Sequence, residues 1–210
     1  NYRDLEHHGA GFAESGINCI FFDFCGGGLK SLSDGKMTQM TVLTEAEDLT
    51  EVISQVQQME NVDSDQLFIQ GESQGGFVGA YVAAQIPEKI KGLILWYPAF
   101  VIPDDAKRRF EENDNTCFGQ QLSPDYNKVA KDIDIFNVIT TLSSAARAVL
   151  LSTWGDSTRV QRMSISLSLR SSSSYRESGM QTRSSSSAPY WSMMAPISFI
   201  KASVPGNVLP

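Results

Sequence analysis

Short, strongly apolar runs recur through the first 140 residues and are separated by more polar stretches. The clearest are 16–24, 66–71 and 91–100, and the first two close on glycine or polar turn residues. Runs of this length and apolarity suit strands of a parallel sheet that is covered on both faces. They predict three strands of such a sheet.

The segments between those runs have helical periodicity. In 41–61, five apolar residues step by 4, 3, 4 and 3 positions and so share one helix face: Val42, Ala46, Leu49, Ile53 and Val56. Acidic residues, Glu45 among them, gather in the N-terminal half, where the helix dipole favours negative charge. A second helix, over about 74–85, is rich in alanine and glycine, and Pro87 follows its end. The alternation of strands and helices predicts the α/β fold class, with a mostly parallel sheet flanked by helices.

Composition narrows the possible partners. A length of 210 residues fits one domain, and no apolar run approaches the roughly 18 residues of a membrane span. The net charge of −7 argues against a nucleic-acid partner, because phosphates require clustered lysine and arginine. Cys19, Cys25 and Cys117 form no CxxC pair and have no ligand-like histidine nearby. They predict reduced thiols in a cytoplasmic protein rather than a disulfide framework or a zinc site.

Composition changes abruptly near residue 140. Residues 1–140 contain 22 of the 24 acidic and 10 of the 17 basic residues, a net charge of −12, whereas 141–210 carry +5. Serine is concentrated in the second part, as in the runs 171–174 and 184–187. We therefore expect an irregular, Ser/Arg-rich C-terminal tail over 141–210. The tail is either a disordered segment or an out-of-frame translation of a former folded region.

One short motif carries candidate chemistry. The letters GESQG at 71–75 match G-x-S-x-G and lie between an apolar strand and a helix. A nucleophile on such a tight turn has strained backbone angles, side chains at Gly71 and Gly75 would collide, and Gly76 extends the close approach. The turn lifts the Ser73 hydroxyl clear of the sheet and aims the Gln74 backbone N–H at an oxygen that becomes negative during acyl transfer. The motif predicts Ser73 as nucleophile and Gln74 as oxyanion donor.

Three motifs in the order FDFCGGGLKSLSDG at 22–35, GESQGGFVGAYVAA at 71–84 and LILWYPAFVIPDD at 93–105 resemble the α/β-hydrolase superfamily. The resemblance is to its bacterial esterase branch, related to feruloyl (cinnamoyl) esterases and serine aminopeptidase-type hydrolases, and covers about 1–139. It implies a partial α/β-hydrolase fold. It also implies cleavage of small-molecule esters or amides through a Ser, acid, His triad, with no metal or cofactor.

The resemblance also assigns a domain and a pocket. It implies a partial hydrolase domain over 1–140, in which about 100–136 form the insertion that shapes the acyl pocket. The aromatic residues that could line this pocket, or pack in the core instead, are Tyr97, Phe100, Phe110 and Phe118.

Both histidines of the sequence, His7 and His8, precede the serine. In the family, a His-Gly pair supplies the other oxyanion donor, but only 7 residues separate His8-Gly9 from the strand at Ile17, too few for the family's loop and helix. We interpret the segment as a helix closed by Gly16, with the histidines on its surface. We expect the preceding strand and His-Gly loop to be missing from the start of this sequence.

The triad acid and base are not evident after Ser73. Residues 145–160 resemble the strand and turn that carry the acid, with Asp156 at the first aspartate position and Thr158 in place of the second; no histidine follows. Losing one triad member costs on the order of 10⁴ to 10⁶ in turnover. We therefore expect that the chain is related to serine esterases but is nearly inactive with the sequence that it has. The alternatives are a catalytically dead binding module and, more weakly, a nucleotide-binding domain that uses the glycine-rich stretch 25–28.

Overall fold

The computed structural model describes residues 6–28, 30–140, 142, 147–151 and 197–202. The first element is helix α1, Glu6–Glu14, followed by strand β1, Ile17–Phe22. The helix closes with a hydrogen bond from the Gly16 N–H to the Ala13 carbonyl, 2.9 Å, and Gly16 has a φ of 75°. This left-handed conformation is the one that glycine adopts after a helix end, so the predicted helix and its closing glycine are confirmed. The backbones of His7 and His8 lie within α1.

Helix α2, Val42–Gln57, is the long amphipathic helix predicted from the apolar spacing. Thr41 and Thr44 form a reciprocal capping box at its start, with Thr44 N–H to Thr41 Oγ1 at 3.2 Å and Thr41 N–H to Thr44 Oγ1 at 2.9 Å. All five residues of the predicted apolar face are buried: Val42, Ala46, Leu49, Ile53 and Val56. Glu45 is buried with them, which the sequence pattern did not predict.

Within the described residues, the central sheet has five strands. Besides β1, they are β2, Leu67–Glu72; β3, Gly92–Trp96; β6, Arg147–Leu151; and β7, Ile197–Ala202. Their order across the sheet is β1-β7-β2-β3-β6. β2 pairs with β3, and β3 with β6, in parallel, whereas β7 is antiparallel to both β1 and β2. Four of the five strands therefore run in one direction, which confirms the mostly parallel sheet. β6 and β7 both fall within the segment expected to be an irregular tail.

Helices cover both faces of the sheet. Helix α3, Ser73–Gln85, packs on β2 and β3, and α2 packs against α3. Ile20 and Phe22 of β1 contact the core on that side. The alternate residue Phe21 points the opposite way and meets α1, where a Cβ on Gly9 would lie 2.7 Å from Phe21 Cε2. The sheet is therefore flanked by helices, as expected.

The segment between β3 and β6 forms a helical insertion. It contains α4, Ile102–Glu111; a hairpin of β4, Thr116–Cys117, and β5, Gln120–Gln121; α5, Pro124–Ala130; and α6, Ile135–Ile139. α4 packs on α5, α5 on α2, and α6 on α3. The insertion is thus attached to both helices of the core layer. No helix in the described part of the chain is long and apolar enough to cross a membrane.

Truncation of Leu49 tests the packing of α2. Leu49 is fully buried, so Leu49→Ala should lower the free energy of unfolding by about 2–5 kcal/mol through lost burial and a cavity. Urea unfolding followed by circular dichroism measures the change. Glu47→Ala, at an exposed position of the same helix, is the control and should change it by no more than about 0.5 kcal/mol. Equal effects of the two substitutions would show that this face of α2 does not pack in the core.

Candidate active site

Strand β2 ends at Glu72 and helix α3 begins at Ser73, with no residue between them. The chain reverses there by placing Ser73 at a φ of 48°. For a residue with a Cβ, this left-handed conformation costs roughly 1–2 kcal/mol. Backbone strain of this kind persists only where surrounding contacts impose it, and it is concentrated at functional sites.

Two glycines allow the turn to close. A Cβ on Gly71 would lie 2.5 Å from the carbonyl oxygen of Gly75, and a Cβ on Gly76 would lie 2.9 Å from Pro98 Cβ. Both distances are shorter than any side chain tolerates without movement of the backbone. The expected crowding at Gly71 is present, against the Gly75 backbone, and Gly76 is crowded by a segment that follows β3. The crowding expected from a side chain at Gly75 stays a prediction.

The segment that follows β3 makes two hydrogen bonds to the serine turn. In the parallel register Glu72 lies opposite Trp96, so Tyr97 emerges from the sheet beside Ser73. The Ala99 N–H donates to the Ser73 carbonyl at 2.8 Å. Tyr97, itself left-handed with a φ of 37°, donates its hydroxyl to the Glu72 carboxylate at 2.8 Å. Burial, and then the Glu72 carboxylate, raise the pKa of Tyr97, so the hydroxyl stays protonated and remains a donor.

Gln74, the residue after the serine, is buried and held at both ends of its side-chain amide. Its Nε2 donates to Glu45 Oε2 at 2.7 Å, and its Oε1 accepts from the Tyr126 hydroxyl at 2.8 Å. Burial raises the pKa of Glu45 to about 8; the Gln74 hydrogen bond opposes this shift and nearby Asp48 adds to it. The Glu45 carboxyl is therefore mostly neutral at pH 7.

The sequence did not indicate the roles of Glu45 and Tyr126. The charge pattern identifies Glu45 only as one of several acidic residues near a helix N-terminus. Its position 3 residues after Val42 and 4 before Leu49 places it on the apolar stripe. That position was the available signal that the carboxyl is buried.

The aromatic residues expected to line an acyl pocket have different surroundings. Phe100 packs edge-to-face on Phe136, with ring centroids 5.8 Å apart. Phe110 is half exposed, and Lys131 Nζ lies 5.1 Å from its ring centroid. Phe118, at the tip of the β4–β5 hairpin, is 75% exposed.

A cleft of about 470 Å³ lies beside that hairpin, lined by Gly28, 35–38 and 119–121. Neither Ser73 nor any of the four candidate aromatic residues lines it. The pocket assignment therefore stays a prediction.

The glycine-rich stretch 25–28 is not arranged to cradle a phosphate. Its backbone N–H groups are already used: Cys25 donates to Asp48 Oδ2 at 2.7 Å, Gly26 to the Asp34 carbonyl at 2.7 Å, and Gly27 to the Phe24 carbonyl at 2.9 Å. A phosphate site requires such donors to be free. The nucleotide-binding alternative therefore loses its structural basis.

Within the described residues, no group of three or more His, Cys, Asp or Glu side chains is placed to hold a metal ion. Cys19, Cys25 and Cys117 are free, and burial raises the pKa of each thiol. Asp156 and Thr158, at the positions resembling the triad acid turn, lie outside the described residues.

Comparisons with known proteins found a matching family model and several similar solved structures. The family model for serine aminopeptidase, S33 (Hydrolase_4) matches residues 1–171. Among solved structures, the chain is similar to Est1E from Butyrivibrio proteoclasticus with ferulic acid bound, at 25% identity and a TM-score of 0.52, over 64% of this chain and 55% of that chain. A second Est1E structure from the same organism gives 19% identity and a TM-score of 0.46, over 54% and 49% of the two chains.

A third similar structure is described under LipS and LipT, two metagenome-derived lipolytic enzymes. It gives 18% identity and a TM-score of 0.39, over 56% of this chain and 54% of that chain. The chain thus spans about half the length of the solved structures that it resembles. No curated protein matches it at a significant level.

The strain at Ser73 can be measured directly. Ser73→Gly should have a free energy of unfolding about 1 kcal/mol higher than Ser73→Ala, because glycine adopts a positive φ without steric cost. Urea unfolding measures the difference. Ser54→Gly and Ser54→Ala, within α2, form the control pair, and there the order should reverse, since glycine weakens a helix interior by about 1 kcal/mol. Equal stability of the two Ser73 variants would contradict a left-handed backbone at this residue.

Burial of the Glu45 carboxyl should make stability depend on pH. The pKa of Glu45 is raised from 4.5 to about 8 on folding, so between these values the unfolded chain has released a proton that the folded chain keeps. The free energy of unfolding should therefore fall from pH 4.5 to about pH 8, by on the order of a few kcal/mol, and change little from this group outside that window.

Glu45→Gln should remove this decline, and thermal melts across the pH range measure it. Glu47→Gln, exposed on the same helix, is the control and should retain the decline. An unchanged pH dependence in Glu45→Gln would show that the Glu45 carboxyl does not titrate with a raised pKa.

Proposed function

The chain belongs to the serine aminopeptidase, S33, family of α/β-hydrolases, and we propose that it is a serine hydrolase of carboxylic esters that forms an acyl-enzyme on Ser73. The observation that carries the proposal is the backbone of Ser73. Ser73 has a φ of 48° and lies at the direct junction of a parallel strand and a helix. Gly71, two residues earlier, occupies a position too crowded for a side chain. This is the geometry that a nucleophile elbow requires.

The proposed reaction follows from the groups at the turn. Ser73 Oγ attacks the ester carbonyl carbon while its proton passes to a base, and the carbonyl oxygen becomes negative. The Gln74 backbone N–H, at the start of α3, donates to that oxygen, and the helix dipole favours its charge. The tetrahedral intermediate then expels the alcohol, which takes up the proton, and water hydrolyses the Ser73 ester to release the acid.

The base limits the rate of this reaction. The family's base is a histidine after the nucleophile, whereas His7 and His8 both precede Ser73. A serine hydroxyl without an adjacent base stays protonated and is a weak nucleophile. We therefore propose that this sequence turns over slowly, by on the order of 10⁴-fold or more below an intact triad.

The missing histidine also favours a second candidate, a binding module that keeps the pocket and has lost the chemistry. Est1E has been solved with ferulic acid bound, so ferulic acid and methyl ferulate are suitable first probes of the acyl class. Binding without reaction at Ser73 is the result that this alternative requires.

Covalent labelling tests the proposal. The purified full chain is incubated with a fluorophosphonate probe, and intact mass and peptide mapping locate the adduct. We expect a single adduct on Ser73, formed slowly, and none in Ser73→Ala. Ser64→Ala, at an exposed position before β2, is the control and should label like the unsubstituted chain.

Three results separate the candidates. Labelling of Ser73 with release of ferulic acid from methyl ferulate supports the esterase. Absence of labelling, with ferulic acid still bound in equilibrium dialysis, contradicts the esterase and supports the binding module. If Ser73 is not labelled and ferulic acid does not bind, both candidates are contradicted for this chain.

A further inference from the structure

Three buried polar side chains form a continuous hydrogen-bonded chain beneath the serine turn. The Tyr126 hydroxyl donates to Gln74 Oε1 at 2.8 Å, and Gln74 Nε2 donates to Glu45 Oε2 at 2.7 Å. The exposed fractions are 4% for Tyr126, 6% for Gln74 and 1% for Glu45. We call this chain the Gln74 bridge. It connects α5 of the insertion, α3 of the turn and α2 of the core.

Both ends of the Gln74 amide are satisfied in the Gln74 bridge. The amide oxygen accepts from the Tyr126 hydroxyl and the amide nitrogen donates to Glu45, so a displacement of the amide would weaken both bonds. Met40 Sδ, 3.9 Å from Gln74 Nε2, closes a third side of the amide. A buried amide that is hydrogen-bonded at both ends is held in place, since moving it away from either partner leaves buried polar atoms unpaired.

Gln74 is also the residue whose backbone N–H is proposed to donate to the oxyanion. Its backbone lies in the first turn of α3, immediately after the strained Ser73. Fixing the Gln74 side chain therefore restricts the backbone at the point where a small displacement matters most.

The other end of the Gln74 bridge belongs to the insertion. Helix α5 is itself anchored, because Asn127 Nδ2 donates to the Asp114 carbonyl at 2.8 Å. The residues just before the helix are also held, by a hydrogen bond from the Leu122 N–H to the Asn115 carbonyl at 2.8 Å. A shift of the insertion would displace Tyr126 and, through the hydrogen bond between the two side chains, Gln74. The geometry thus couples the segment above the sheet to the serine turn.

We propose that Glu45 and Tyr126 are positioning residues, which hold Gln74 so that its backbone N–H is aligned with the oxyanion in the reaction at Ser73. The inference rests on the proposed function for its catalytic part. Its structural part, that these two side chains set the backbone geometry of Gln74, is independent of any turnover.

The experiment uses the full chain with two disrupting variants, Tyr126→Phe and Glu45→Leu. Their matched controls are Tyr81→Phe, on α3, and Glu47→Leu, exposed on α2. Each is assayed for melting temperature, for fluorophosphonate labelling of Ser73 over a range of probe concentrations, and for the ¹H–¹⁵N resonance of the Gln74 backbone amide.

We expect the maximal labelling rate to fall about tenfold in both disrupting variants, because displacing an oxyanion donor costs less than the roughly 10²- to 10³-fold of removing one. The probe concentration at half-maximal rate should not change, whereas general loss of structure would raise it. Glu45→Gln, which keeps an acceptor oxygen, should recover most of the rate lost in Glu45→Leu. Labelling of Tyr126→Phe at the Tyr81→Phe rate would overturn the positioning role.

If the unsubstituted chain is not labelled, the proposed function fails and the amide resonance decides the inference. A shifted Gln74 backbone resonance in Tyr126→Phe and Glu45→Leu, with none in the two controls, supports the positioning of Gln74. An unshifted resonance in the disrupting variants refutes it.

Discussion

The left-handed backbone of Ser73 constrains the segments around it. β2 and α3 meet there without a loop, so the strand must come within van der Waals contact of the first helical turn, which Gly71 permits. The segment after β3 then packs against Gly76 and donates the Ala99 N–H to the Ser73 carbonyl. The strain at Ser73 is thus sustained by Pro98, which packs against Gly76, and by Ala99, which donates to the Ser73 carbonyl. Both lie near the turn because β2 and β3 pair in parallel.

The side chains under the turn add a second restraint, and it is polar. An apolar residue at position 74 would avoid the cost of burying an amide and a carboxyl, so the Gln74 bridge is not the simplest way to fill this part of the core. The Gln74 bridge restrains the position of the amide, because hydrogen bonds at both of its ends resist displacement in a way that non-directional apolar packing does not. The hydrogen bond from Tyr126 to Gln74 links the insertion directly to α3.

Local features of the fold could be predicted from the sequence to a large extent. The spacing from Val42 to Val56 gave α2, and Gly16 marked the end of α1, because helix periodicity and a left-handed closing residue depend on neighbours along the chain. The strand-turn-helix around Ser73 could be predicted for the same reason. β7 could not, because a strand placed antiparallel between β1 and β2 depends on pairing with residues more than a hundred positions away.

The family resemblance, the order of the main helices and strands, and the position of Ser73 can be inferred from the sequence, since each has a short-range signal. The contact of Gly76 with the segment after β3, and the contacts of Glu45 and Tyr126 with Gln74, emerge only from the tertiary structure. The two Gln74 contacts join residues 29 and 52 positions apart. No periodicity or motif encodes such pairs, because their meeting depends on how whole helices pack.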